Sequence, residues 1–216
     1  MIFNPETAAQ VAENLLQIKA IKLNNAKPFV WASGLHSPIY CDNRISLSYP
    51  KIRTYIRQEF VKAINEHFGT IDAIAGVATA GIPQGALVAQ ELGLPFIYVR
   101  SSAKAHGMTN KIEGVINPGQ TVVVIEDLVS TGKSSLNAVY ALQDAGVKVK
   151  GMVAIFTYGL KVAGENFEKA DCKLVTLSSY EHLIKQAVTG SYISEDERTS
   201  LIEWSGDPQA WSKKHE

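Results

Sequence analysis

Val122-Val123-Val124-Ile125-Glu126-Asp127-Leu128-Val129-Ser130-Thr131-Gly132-Lys133-Ser134 is the stretch from which the rest of the chain can be read. Four apolar, mostly β-branched residues in succession predict a strand buried on both faces, as in the middle of a parallel sheet. Two adjacent carboxylates end that run, and a turn rich in hydroxyls and glycine follows. Leu136, Val139 and Tyr140 then carry a helical period stopped by Gly146. Open α/β sheets bind ligands at the carboxyl ends of their strands. A helix N-terminus there offers unpaired N–H groups and a positive dipole to a phosphate. Carboxylates repel phosphate, so Glu126 and Asp127 suit hydroxyl groups or a divalent cation. Acids beside a phosphate cradle point to a sugar phosphate, with ribose on Glu126 and Asp127. Its phosphate falls to Ser130, Thr131, Gly132, Lys133 and Ser134.

Gly132-Lys133-Ser134 also looks like the end of a nucleotide-binding P-loop, which requires a glycine five residues before Gly132. Asp127 stands there and would place negative charge against a triphosphate, so that reading is excluded. The local pattern leaves another open: solvated acids at a strand end, with Ser130 or Thr131 as an ordinary helix cap.

A length of 216 residues suits one α/β domain with a substantial core. Lys plus Arg is 21 and Asp plus Glu is 21, a balance that argues against a nucleic-acid partner. Cys41 and Cys172 form no Cys-x-x-Cys pair, and His36, His67, His106, His182 and His215 show no zinc-ligand spacing. Ala73 to Gln90 is uncharged, but its Thr, Gln, Pro and Gly content reads as strand, loop and helix, not as a membrane span. Glu6 and Glu13 interrupt any signal-peptide core, so a cytoplasmic location is expected.

Periodicity predicts helices over 5–20, 50–68, 82–92, 132–145 and 161–169, and strands over 71–77, 96–99, 121–125, 151–156 and 173–177. Two short strands are expected within 29–44, and helical pieces near 180–188, 195–204 and 207–213. Alternating strands and helices argue for a mainly parallel sheet with helices on both faces. The connection from Arg100 to Gly119 runs to about twenty residues, against the usual roughly 4–6. It holds Arg100, Lys104, His106 and Lys111 against one acid, Glu113, which suggests a basic lid over an anionic substrate, a disordered surface loop being the competing reading. Thr79-Ala80-Gly81 follows a buried strand and opens a helix. Its small residues either let backbone amides approach an anion or make only a tight connection.

The strand, the two acids and the Thr-Gly turn resemble the ribose-phosphate signature of the type I phosphoribosyltransferases. Three further stretches, in the family's order, narrow the resemblance to its orotate-using branch. They are Trp31-Ala32-Ser33-Gly34-Leu35-His36-Ser37-Pro38-Ile39-Tyr40, Ala78-Thr79-Ala80-Gly81-Ile82-Pro83 and Arg100-Ser101-Ser102-Ala103-Lys104-Ala105-His106-Gly107. The resemblance implies a single domain over 1–216, with an N-terminal hood over about 1–48, a core over about 49–180 and a helical segment over 181–216. It implies Mg2+-dependent transfer of ribose 5-phosphate from 5-phosphoribosyl 1-diphosphate to orotate in pyrimidine synthesis. Pyrophosphate falls to Thr79, Ala80, Gly81, Arg100, Lys104 and His106, with Lys104, His106 and Asp127 as the catalytic group. Mg2+ is expected to sit among substrate oxygens and water, and the lid to be shared across a homodimer. A purine-type transferase would keep the ribose-phosphate segment and differ in the hood. A non-catalytic regulator sensing the same diphosphate would need a basic surface that this neutral chain lacks.

For orotate, the hood offers aromatic walls in Phe29, Trp31 and Tyr40, with Ser130 beside them. The chain departs from the family in having Ala32 where a lysine precedes Ser33-Gly34, and Ser101 beside Arg100. It also has no arginine between Arg100 and Arg198. Arg44 is the candidate to replace that lost positive charge, an ion pair with Asp42 or a helix acid being the competing use of it.

Overall fold

The computed structural model describes residues 1–31, 33–101 and 111–215. Helix α1 (Pro5–Gln17) starts at Asn4, whose side chain accepts the Thr7 N–H, with proline in its first turn. Four short strands follow: β1 (Ile21–Leu23), β2 (Phe29–Val30), β3 (His36–Ser37) and β4 (Ile39–Cys41). β1 pairs with β4 and β2 with β3, both antiparallel, and together they make the hood. A tight 3-10 segment (Asn43–Ser48) leads into α2 (Pro50–Phe68). Strands and helices then alternate: β5 (Ala73–Val77), α3 (Gly81–Leu92), β6 (Phe96–Val99), a two-residue β7 (Ile112–Glu113) and β8 (Thr121–Val129). Next come α4 (Lys133–Asp144), β9 (Lys148–Thr157), α5 (Lys161–Lys169), β10 (Leu174–Ser179), α6 (Tyr180–Thr189), α7 (Glu195–Gly206) and α8 (Pro208–Lys214).

The main sheet has the order β10-β9-β8-β5-β6-β7, parallel throughout except that β7 runs against β6. Every residue of β5 is buried, and Val122 to Ile125 have no exposed surface. One face carries α1, α2, α3 and α6, packed on residues such as Val123, Ile125 and Val153. The other carries α4 and α5 over Val122, Val124 and Ala154. This is the two-sided burial that an unbroken apolar run implies. From β5 the chain moves outward through α3 to β6. From β8 it moves the opposite way through α4 to β9 and β10. β5 and β8 are therefore neighbours at a topological switch point, where a crevice opens at the strands' carboxyl ends.

The strand expected to stop at Ile125 runs on to Val129. Glu126, Leu128 and Val129 stay in register with Ala154, Phe156 and Thr157 of β9, because the ladder uses backbone groups and tolerates the carboxylates. The acids thus lie within the strand and do not end it. The first helix closes at Gln17, short of residue 20, with Lys19 in the left-handed region at φ 57°. β1, β7 and a third strand within 29–44 depart from the expectation, since two or three residues carry no readable period.

The C-terminal helices hold the hood. Trp204 of α7 is fully buried and packs edge-on against Trp31 at 5.7 Å, while Tyr158 lies 5.1 Å from Trp31. No described helix is long and apolar enough to cross a membrane.

Gly81, at the start of α3, has the Ile125 carbonyl oxygen 2.5 Å from where a Cβ would stand. A backbone atom of the central strand cannot yield as a side chain can. Gly81→Ala should destabilise by about 2–3 kcal/mol, a fall in Tm of about 4–12 °C for a chain of this size. Gly164, exposed on α5 with nothing within 4 Å, should respond oppositely. There Gly164→Ala should add about 0.5–1 kcal/mol through helix propensity. Thermal melts of the two variants check both signs.

Candidate active site

Three segments converge at the switch point. Ala78-Thr79-Ala80 leaves β5, with the Ala78–Thr79 peptide bond cis, and Ser130-Thr131-Gly132 leaves β8. Cys41, Asp42 and Arg44 approach from the hood. With Glu126, Asp127 and Ser134 these line a cavity of about 400 Å3. A larger cavity of about 890 Å3, walled by Trp31, Leu35, Leu160 and α8, shares Ser130 and Thr131 with it.

The start of α4 is built for an anion. Gly132 occupies the cap position at φ 79°, and no side chain caps the helix, so neither Ser130 nor Thr131 is the ordinary N-cap. First-turn N–H groups have no intrahelical partner and point outward with the positive end of the dipole. The loop is held from behind: Asn166 Nδ2 donates to the Thr131 carbonyl at 2.9 Å and Thr157 Oγ1 to the Val129 carbonyl at 3.1 Å. A Cβ on Gly132 would meet the Phe167 ring at 2.7 Å, so glycine is required by both space and dihedral.

The two acids have different surroundings. Glu126 is 5% exposed; its Oε1 accepts the Asp127 N–H at 2.9 Å and its Oε2 accepts the Ser135 hydroxyl at 2.8 Å. Burial pushes its carboxyl up to about 8, with the neighbouring Asp127 charge adding to the effect. Burial raises Asp127 too, against hydrogen bonds and the Arg44 charge that pull it down. The pair therefore carries less than two full negative charges near neutrality. The Asp127 carbonyl accepts Asn43 Nδ2 at 2.7 Å, which ties the hood to β8. Asn43 is buried and takes the Cys41 thiol on its Oδ1 at 3.3 Å. Burial also holds the Cys41 thiol well above its ordinary value, which disfavours the reactive thiolate. Sequence reasoning singled out neither Asn43 nor Ser135. Their only signal was position, one inside Cys41-Asp42-Asn43-Arg44 and the other in the first turn after the signature.

The cations stand at the rim. Arg44 makes a two-pronged contact with Asp42, Nε to Oδ1 at 2.6 Å and Nη2 to Oδ2 at 3.0 Å. That hydrogen bonding holds Asp42 below its usual range. Arg100 lies 3.4 Å from Glu113 and borders, with Ser134 and Ala78, a small void of about 60 Å3 beside the crevice. The structure thus brings Thr79, Ala80, Arg44, Glu126, Asp127, Ser130, Thr131, Gly132 and Ser134 together. Lys133 is exposed on the first turn of α4, outside that lining. Gly81 sits behind the β5 loop against Ile125, and Tyr40 lies on β4 with its ring 5.8 Å from Phe29. Lys104 and His106 lie outside the described residues. No cluster of three metal-ligating side chains occurs among the described residues. The crevice nonetheless presents Asp42 and Asp127, hard oxygen donors of the kind a divalent cation takes.

Residues 48–187 match the phosphoribosyl transferase domain. The orotate phosphoribosyltransferase of Phocaeicola vulgatus is 56% identical over 200 residues, spanning 93% of this chain and 94% of its own. That of Cytophaga hutchinsonii is 52% identical over 204 residues, spanning 94% and 98%. The crystal structure of orotate phosphoribosyltransferase from Aeropyrum pernix is similar at a TM-score of 0.73 and 27% identity, covering 85% of this chain and 99% of that one. The switch-point crevice, the uncapped helix start beside two acids, and identity above one half along nearly the whole length agree, and the chain belongs to the orotate phosphoribosyltransferases, with the type I phosphoribosyltransferase fold.

Proposed function

We propose that this protein transfers ribose 5-phosphate from 5-phosphoribosyl 1-diphosphate to orotate, releasing pyrophosphate and orotidine 5-phosphate for pyrimidine synthesis. The observation that carries the reading is the uncapped start of α4 facing the same crevice as buried Glu126 and half-buried Asp127. Glycosyl transfer from such a donor passes through a cationic ribose while negative charge grows on the leaving pyrophosphate. Catalysis is then mainly positioning and electrostatic stabilisation. The amides and hydroxyls of Ser130 to Ser134 hold the 5-phosphate. Glu126 and Asp127 accept hydrogen bonds from the ribose hydroxyls, and Asp127 favours the developing cation. The Thr79–Gly81 turn receives pyrophosphate, with Arg100 at its side. Lys104 and His106 close over the leaving group, and the lid serves the neighbouring subunit of a cytoplasmic homodimer. Asp127 and Asp42 are the side chains that would hold Mg2+, which would supply positive charge to offset that of the diphosphate.

Arg44 takes the orotate carboxylate. Its pair with Asp42 leaves the Arg44 side chain 59% exposed, and exposed pairs contribute only about 0–1 kcal/mol, so exchange of one carboxylate for another costs little. Trp31 and Ser130 border the adjoining cavity, where a flat ring fits.

The raised Glu126 carboxyl gives a pH signature. Below about 4.5 both folded and unfolded chains hold the proton; from there to about 8 only the folded chain does, so stability falls as pH rises through that window. Glu126→Gln preserves an acceptor for the Asp127 N–H and a partner for Ser135, so the downward slope should flatten and the variant should outlast wild type in melts near pH 8.5. An unchanged slope would remove the assignment.

In the assay that tests the reading, orotate absorbance should fall on adding 5-phosphoribosyl 1-diphosphate with Mg2+, and chelation should stop the change. Adenine and hypoxanthine should not compete; turnover of either in place of orotate would sink the proposal. Lys104→Ala should lower kcat by about a hundredfold or more, the scale of one lost transition-state donor. Arg44→Ala should raise the orotate KM about tenfold, or about 1.4 kcal/mol, with kcat nearly unchanged. A constant KM would return Arg44 to a purely structural pair with Asp42.

A further inference from the structure

The family match ends at residue 187, yet the helices beyond it also grip the hood. β2 and β3 contribute two residues each, too short a ladder to hold itself in water. The hairpin must therefore be placed by what it docks on. The Ser212 hydroxyl of α8, 3% exposed, accepts the His36 N–H at 2.9 Å, closing the edge of β3. Asn25 Nδ2, on the loop before β2, donates to the Glu197 carbonyl of α7 at 2.9 Å. The 890 Å3 cavity beside the ribose-phosphate crevice lies between these parts, with Trp31 and Leu35 of the hood and Gln209 and Ser212 of α8 in its walls.

We propose that Ser212 is a positioning residue for the acceptor base: by docking β3 on α8 it sets the separation of the hood from the Ser130–Thr131 turn, and so the fit of orotate. The inference rests on the orotate reading above. It assigns acceptor recognition in part to a segment outside the phosphoribosyl transferase match. The sugar-phosphate groups sit on loops of the main sheet, whereas Ser212 bonds to β3 of the hood, so the two substrates should respond differently to its loss.

The test is steady-state kinetics with each substrate varied in turn. Ser212→Ala should raise the orotate KM about tenfold, the scale of one buried hydrogen bond. The KM for 5-phosphoribosyl 1-diphosphate should stay within about twofold. Ser212→Thr, which keeps the hydroxyl, should restore orotate binding. Ser178→Ala serves as the stability control, because Ser178 Oγ on β10 donates a buried bond to the Ala8 carbonyl at 2.8 Å, away from the four hood strands. It should lower Tm comparably and leave the orotate KM alone. Should Ser212→Ala not fold, Asn25→Ala, at a half-buried loop position, carries the test, with an orotate KM raised about threefold. The proposal is overturned by parallel rises in both KM values, by an equal effect from Ser178→Ala, or by an unchanged orotate KM. Wild-type protein that does not turn over orotate would overturn both this and the function beneath it.

Discussion

Two parallel strands lie side by side and the chain leaves them in opposite directions. No connecting helix can cover the gap at their carboxyl ends, and the rest of the site is a response to that vacancy. β5 and β8 deliver two backbone turns to its rim, and the burial of all of β5 and of Val122 to Glu126 makes the positions of those turns a property of the core. The hood reaches the same place through Asn43, whose amide joins the Asp127 carbonyl. Substrate groups of opposite character can then be met within one small space, since backbone donors and carboxylates come from adjacent residues of one strand-turn-helix unit.

That closeness has an electrostatic cost, visible in the acids. Two carboxylates in a largely buried position cannot both be fully charged, and Glu126 resolves the conflict by keeping a proton to high pH while Ser135 and a backbone amide hold its oxygens. Asp127, nearer the Arg44 charge, is the better placed of the two to stay ionised. One acid fixes geometry and the other supplies charge, a division set by surroundings in residues that are chemically alike.

Much of this was legible in the sequence because the decisive features are local. The apolar run Val122 to Ile125, the adjacent acids and Gly132 each imply their structure without reference to distant residues. The end of β8 was misread, since its last four residues remain a strand only because β9 is long enough to pair with them. Asn43 and Ser135 escaped notice for the same reason: a buried side-chain bond across 84 residues, or one to the next helix turn, leaves no period. The hood's dependence on Ser212 and Trp204 was invisible for the same cause, the contacts spanning nearly the whole chain.

Gly81 meets the Ile125 carbonyl with no room for a methyl group, so the turn after β5 and the strand carrying the acids are fastened together like two jaws of a fixed gauge. The separation of the 79–81 turn from Glu126 and Asp127 is therefore set by backbone contact, and that turn cannot move closer to the strand. Any opening and shutting that lets substrates in and products out must be borne by the parts that are not so fastened. Variants selected for altered donor size should therefore be rare at the sheet, and tolerance for altered acceptors should gather in the hood.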